Sequence, residues 1–195
     1  MKKKALFVSI QLVMVILFVT GSAKAADWRF PVGLTYISGF GDVHDIYEDN
    51  LEAEGYDVYD SAYWPVGLSF HPYVEFDIGV RIGAGIGPFM LIFGDVSHLD
   101  VPVNLNGGFT FIPSANTSPY VRAGVMHHLA SGDYVEGSSP GFFWGVGIEF
   151  FRQKRVGFGI EIAFDTSEIE LERVRYNDTE DIKPCELMVS IFAVF

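Results

Sequence analysis

The sequence predicts an all-β fold, an eight-stranded antiparallel transmembrane β-barrel preceded by a cleaved signal peptide. Three observations carry that prediction. The last stretch, Pro184 to Phe195, puts Leu187, Val189, Ile191, Ala193 and Phe195 on alternate positions, an apolar face that ends in an aromatic residue. The first 25 residues have the form of an export signal. Between them the chain is rich in apolar residues (49% hydrophobic, 15% aromatic) and glycine (21), yet after residue 25 it has no apolar run of the ~18 residues that mark a spanning helix. The hydrophobicity therefore lies in alternation, as a barrel wall requires.

The signal reads Lys2-Lys3-Lys4 as its basic start, Ala5 to Thr20 as its apolar core and Ala23-Lys24-Ala25 as its cleavage site. The expected division is residues 1–25 as signal peptide and 26–195 as one barrel domain. Four of the 13 basic residues leave with the signal and none of the 25 acidic ones do, so the mature chain carries nine against 25, a net charge of −16. Such an excess argues against nucleic acid as a partner and against a basic patch that grips anionic lipid. One cysteine, Cys185, leaves no internal disulfide to form.

Eight strands follow from the alternation. Trp28–Ile37 and Tyr63–His71 are the first two, with Trp64, Val66, Leu68 and Phe70 on one face of the second. The third, Phe76–Ile86, sets Ile78, Val80, Ile82 and Ala84 against Asp77, Gly79, Arg81 and Gly83. Leu99–Asn106, Val121–Val125, Phe142–Phe150 and Val156–Asp165 come next, and the terminal stretch is the eighth, with Glu186, Met188 and Ser190 inward. An even count suits a closed antiparallel barrel. The second face of these strands is glycine-rich and carries charge, which suits a narrow lumen, and the large apolar face belongs to lipid.

The connections alternate in length. His71–Val74, Ile112–Pro119 and Arg152–Arg155 read as short turns; Gly39–Ala62 and Thr166–Lys183 are long, and His128–Pro140 is intermediate. Phe89–Phe93 reads either as a loop or as a continuation of strand three to a tight turn at Gly94-Asp95. Aromatics sort to the strand ends. Trp28, Phe30, Phe70, Phe76, Phe109, Phe111, Tyr120, Phe150 and Phe195 lie toward the turns, and Tyr36, Tyr63, Trp64, Phe142, Trp144 and Phe164 toward the loops, as two interfacial girdles would.

On these features the mature chain resembles the small eight-stranded outer-membrane barrels of the OmpA/OmpX kind. The resemblance is one of architecture. It implies a bacterial outer-membrane location, contact with outer-membrane lipid and lipopolysaccharide, delivery to the barrel-assembly machinery through Leu187, Val189, Ile191 and Phe195 of the last strand, and a monomer without cofactor.

Three groups of residues are candidates for function. Arg29, Asp77, Arg81, Asp100, Arg122, Glu149, Glu161 and Glu186 are read as inward charges. They form either a salt-bridged network that holds the barrel shut or the selective lining of a narrow channel for small solutes. The first long loop carries Asp42, Asp45, Glu48 and Asp49 in a run without Lys or Arg, a possible cation contact, though the spacing matches no EF-hand and a solvated acidic loop reads as well. His44, His98, His127 and His128 fall near the loop side with Ser131 and Asp133, which leaves open a lipid A-modifying outer-membrane enzyme. The reading that fits all three groups is a non-enzymatic structural or surface-interaction protein with a salt-bridged lumen.

Overall fold

The computed structural model describes residues 26–56, 62–93 and 96–195. The expected export signal and the Gly94-Asp95 turn lie outside the described residues. Among the described residues, fifteen strands and one helix follow in chain order: β1 (Ala26–Arg29), β2 (Pro31–Ile37), α1 (Phe40–Glu54), β3 (Ala62–Tyr63), β4 (Val66–Phe70), β5 (Tyr73–Phe76), β6 (Val80–Ile86), β7 (Met90–Phe93), β8 (His98–Thr110), β9 (Thr117–Gly132), β10 (Val135–Ser139), β11 (Gly141–Phe150), β12 (Gly157–Asp165), β13 (Glu168–Arg173), β14 (Asp178–Ile182) and β15 (Leu187–Val194).

Twelve of these strands build the barrel, because several wall strands come in pieces. β1 and β2 form the first wall strand and β3, β4 and β5 the second; Ala26↔Phe76 and Val32↔Phe70 belong to one continuous register. β6 and β7 form the third, and β8, β9, β11, β12 and β15 the remaining five. β15 pairs back onto β2, Ile191 opposite Leu34, so the wall closes as eight antiparallel strands. Closure through β15 and β2 pairs the wall strands on both sides over most of their length, which is what a barrel in hydrocarbon needs.

Several boundaries differ from the sequence reading, and the expected connection His128–Pro140 is itself largely strand, because β9 runs on to Gly132 and β10 follows at Val135–Ser139. The first turn is Asp77–Gly79, where Gly79 takes φ +88° and its amide bonds the Phe76 carbonyl at 2.7 Å; it is not His71–Val74. Pro72 lacks an amide and only interrupts the second wall strand. Its carbonyl still accepts from Ala84 at 3.1 Å, while the His71 amide reaches Pro31. The ambiguous Phe89–Phe93 segment is largely strand: β7 pairs with β8, Leu91 opposite Leu99.

The outward face is apolar, with Leu34, Leu68, Leu105, Phe142, Trp144 and Ile191 all exposed, Phe142 by 73%. Of the expected girdle, Phe76 and Tyr120 depart: both are buried, and the Tyr120 ring points into the lumen.

Above the wall the long connections fold. α1 presents Phe40, Val43, Tyr47 and Leu51 at helical spacing, and Gly55, at φ +88°, ends it. β10, β13 and β14 make a separate three-stranded sheet. Ile169 and Leu171 of β13 join the apolar face of α1, together with Met90, Ile92, Val96, Tyr134 and Cys185, in a core that continues down to Met126, Phe143, Ala163 and Met188 of the barrel mouth. The run Asp42 to Glu54 is therefore one side of a docked helix and not a solvated loop. Asn50 locks it: its amide donates to the Glu172 carbonyl at 2.6 Å and its oxygen accepts from the Val174 amide at 2.9 Å.

Two wall glycines test this packing. A Cβ on Gly124 would strike the Leu105 carbonyl and the Asn106 backbone, whereas one on Gly107 meets only the Arg81 carbonyl at 3.8 Å. Gly124→Ala should lower stability by ~1–3 kcal/mol and Gly107→Ala should be close to neutral in urea unfolding from lipid vesicles. Equal losses would contradict the packing described.

Candidate functional site: the lumen and its cap

The lumen holds two tiers of buried charge. The lower tier is built from the inward positions of β5, β6, β8 and β11. Arg81 donates from Nε to Glu75 Oε2 and from Nη1 to Glu149 Oε1, both at 2.9 Å. Tyr73 donates to the same Glu149 oxygen at 2.8 Å, and Thr110 to Glu75 at 2.6 Å. Arg152 enters from below, ion-paired with Glu75 and, at 3.1 Å, with Glu149. Phe151, at φ +57°, is the residue beside it at the end of β11. The Arg81 guanidinium lies between the rings of Tyr73 and Tyr120, 4.4 and 4.3 Å from their centroids.

One step toward the mouth, Arg122 makes a bidentate pair with Glu161, Nε to Oε2 at 2.7 Å and Nη2 to Oε1 at 2.5 Å, and Tyr120 adds a bond to Glu161 at 2.7 Å. Three guanidiniums thus face three carboxylates, and the set is neutral. A cavity of about 30 Å³ remains beside Arg81, Arg122, His71 and Tyr120. That is room for a water or two, and Arg81 Nη2 and His71 Nδ1 are the buried polar atoms there without a protein partner.

The upper tier sits under the cap. His128 contacts Asp100 through Nδ1 at 2.6 Å and Asp165 through Nε2 at 3.3 Å, linking β8, β9 and β12. The Ser167 amide donates to Asp165 at 3.1 Å and Ser138 Oγ to the His128 carbonyl at 2.8 Å, tying the cap sheet to this tier. His128 and Asp100 are both fully buried, at 0% exposure. Tyr47 of α1 reaches His98 Nδ1 at 3.0 Å.

Of the charges read as inward, the structure brings together Arg81, Arg122, Glu149 and Glu161, and places Asp100 in the upper tier. Arg29 stays at the lower rim, where it bonds the Arg152 carbonyl at 3.1 Å and faces Asp27 at 3.5 Å. Asp77 is exposed in the first turn and Glu186 is exposed ahead of β15, because neither belongs to the paired part of a strand. Glu75, Tyr73, Thr110 and Arg152 complete the lower tier without having been singled out, and Tyr120, expected in the outer girdle, joins them. Tyr73-x-Glu75 alternates with Val74 and Phe76, a signal hidden once that stretch is read as a turn; Arg152, outside any strand, offers none.

In the terminal strand Met188 and Ser190 point inward and are buried, while Ile191 and the ring of Phe195 are exposed. Phe195 exchanges backbone bonds with Phe30 at 3.1 and 3.4 Å, which pins the last residue to the first wall strand. On α1, Asp49 pairs with Arg173 at 3.3 Å, Asp42 and Asp45 are exposed, and Glu48 lies 3.6 Å from His44. Burial pushes the Tyr47 hydroxyl up to about 12 and raises the Cys185 thiol well above its ordinary range.

A closed eight-stranded antiparallel barrel with an apolar exterior and an ion-paired interior is the architecture of the small outer-membrane barrels. No known protein family and no curated protein matches the sequence. Among solved structures the fold is similar to that of the outer membrane protein OprG from Pseudomonas aeruginosa, with 10% identity, a TM-score of 0.55 and coverage of 88% of this chain and 96% of that one. Also similar are the N-terminal β-barrel domain of Pseudomonas aeruginosa OprF (9% identity, TM-score 0.43, 89% and 98% covered) and Neisserial surface protein A (11%, 0.43, 88% and 97%). At such identities the likeness is one of fold.

Two expectations follow. Arg81→Ala leaves Glu75 and Glu149 short of a partner and should cost ~3–5 kcal/mol in urea unfolding; an unchanged midpoint would refute the structural role of the network. The raised Tyr47 hydroxyl favours the neutral form in the folded cap, so its contribution is present below pH 10 and is lost as pH rises through about 12. Proteolysis within α1 should therefore increase over that interval in the parent, whereas Tyr47→Phe, which cannot ionise, should show no such increase.

Proposed function

We propose that this chain is an outer-membrane barrel that conducts no solute and serves as an anchored, structural or surface-interaction protein, displaying a folded acidic cap. The observation that carries the reading is the closure of the lumen at successive levels: the Arg81 and Arg122 networks, the His128 tier, and the apolar plug formed by α1. The cavity between the charged groups, about 30 Å³, is water-sized.

The apolar exterior supports residence in a bilayer, and the similarity in fold to OprG, an outer membrane protein, supports the bacterial outer membrane as its location. Export through the basic, apolar and A-x-A segments of residues 1–25 belongs to the same reading. So do recognition of the last strand by the barrel-assembly machinery, contact with lipopolysaccharide around the cap, and a monomeric state, since closure leaves no wall edge to pair. The narrow channel needs a water-continuous lumen, and the Arg81 and Arg122 networks occupy that interior. The lipid A-modifying enzyme needs a histidine that is open to a lipid and oriented by a hydroxyl or carboxylate; His128 is fully buried between two carboxylates, and the half-buried His127 has no protein partner at Nδ1 among the described residues.

Planar-bilayer recording of the refolded mature protein, with folding confirmed by gel heat-shift, should show no steady conductance, and Arg122→Ala should raise leakage if it still folds. A stable single-channel conductance in the parent protein, altered by Arg122→Ala, would replace this reading with the pore.

A further inference from the structure

α1 carries its acidic residues on the side away from the core, but they are not equivalent. Asp49 and Glu52 face Arg173 and Arg175 of the β13–β14 hairpin, and Glu54 accepts from Tyr134. His44 and Glu48 lie one turn apart on the same side of the helix, with Nε2 3.6 Å from Oε1. Asp45 stands between them in sequence, and one donor atom from each of the three residues lies within 4.8 Å of the other two.

The histidine is held in place. Its side chain is nine-tenths buried, and its ring packs on Tyr63 at 4.4 Å between centroids. Its Nε2 nonetheless lies 3.6 Å from the Glu48 carboxylate. An imidazole fixed by packing, with two carboxylates in reach, loses little freedom on taking a ligand. The donor set also selects. Calcium and magnesium favour oxygen alone, while one nitrogen with two carboxylates suits zinc, cobalt or manganese. A mature net charge of −16 draws cations toward the surface.

We propose that His44, Asp45 and Glu48 form a surface site for a divalent transition-metal ion, with solvent completing its coordination. The site narrows the acidic run to two of its members and adds the histidine that a carboxylate count overlooks. It does not depend on whether the lumen conducts.

The test uses untagged, refolded protein in detergent, titrated with cobalt(II) by visible absorption and with zinc chloride by calorimetry. One saturable site is expected, lost in His44→Gln and in Glu48→Gln and retained in Asp42→Asn. Gel heat-shift checks each variant for folding, and Glu48→Gln, at a half-exposed position, keeps the test valid should His44→Gln fail to fold. No saturable uptake, or saturable uptake unchanged in Glu48→Gln, would overturn the proposal. So would uptake that equimolar calcium abolishes and that Asp42→Asn weakens as much as Glu48→Gln, the behaviour of a diffuse counter-ion layer.

Discussion

Everything inside this barrel depends on neutralising Arg81. A guanidinium in a narrow lumen has almost no water to hydrate it, so it persists only where carboxylates reach it in good geometry. Glu75 and Glu149 do so from two different wall strands, and Tyr73 and Tyr120 cover the faces of the cation. Satisfying one charge then recruits the rest. Glu75 and Glu149 also hold Arg152, which fastens the turn after β11 beneath the lumen. Tyr120 passes the linkage to Glu161 and so to Arg122. The register of five strands is fixed by side chains as well as by the backbone ladder, since a slip of one residue would turn these groups to lipid.

The glycines belong to the same constraint. Long arginine and tyrosine side chains fit inside eight strands only where facing positions are empty. Gly147 illustrates this: a Cβ there would press on the Tyr120 ring that stacks with Arg81. The composition that reads from the sequence as a glycine-rich inner face is, in three dimensions, the volume left for the ion network. The wall and the plug are thus not separable parts, because the same residues set both.

The sequence reveals the wall better than the site. Alternation at Leu34, Leu68, Leu105, Val146, Ile162 and Ile191 marks the lipid face correctly because period two is a property of any strand. It could not place the first turn. Phe76, Val80 and Ile82 keep a common face across the three residues Asp77–Gly79, so the alternation runs unbroken through a reversal of chain direction, while Pro72 mimics a turn inside a strand. That single misplacement concealed Tyr73 and Glu75. The helix was obscured for a different reason. Phe40, Val43, Tyr47 and Leu51 show its spacing, but the acids between them dominate the composition of the segment, and only the barrel mouth below gives their apolar side something to cover. His128 likewise lies at the loop end of its strand in the sequence; that Asp100 and Asp165 meet it there is a matter of register between strands 28 and 37 residues away.

The nine basic residues between Ala26 and Phe195 are distributed in a way that ties these features together. Arg81, Arg122 and Arg152 are consumed inside the lumen, and Arg29, Lys154 and Arg155 lie at the turn end. The three in the cap are occupied in holding it together. Arg173 joins Asp49 of α1 to Glu180 of β14, Arg175 faces Glu52, and Lys183 faces Glu168. Such exposed pairs are each worth little, ~0–1 kcal/mol, so the apolar core of the cap and the Asn50 lock must supply its stability, and the pairs mainly orient the hairpin over the helix. The consequence is a cap whose cations are engaged with their own carboxylates while most of its acids face outward. A surface of that kind repels anions and gathers cations. Any contact it makes with a negatively charged lipid surface therefore has to run through a bridging cation, and the charge distribution by itself directs attention to the outer face of α1.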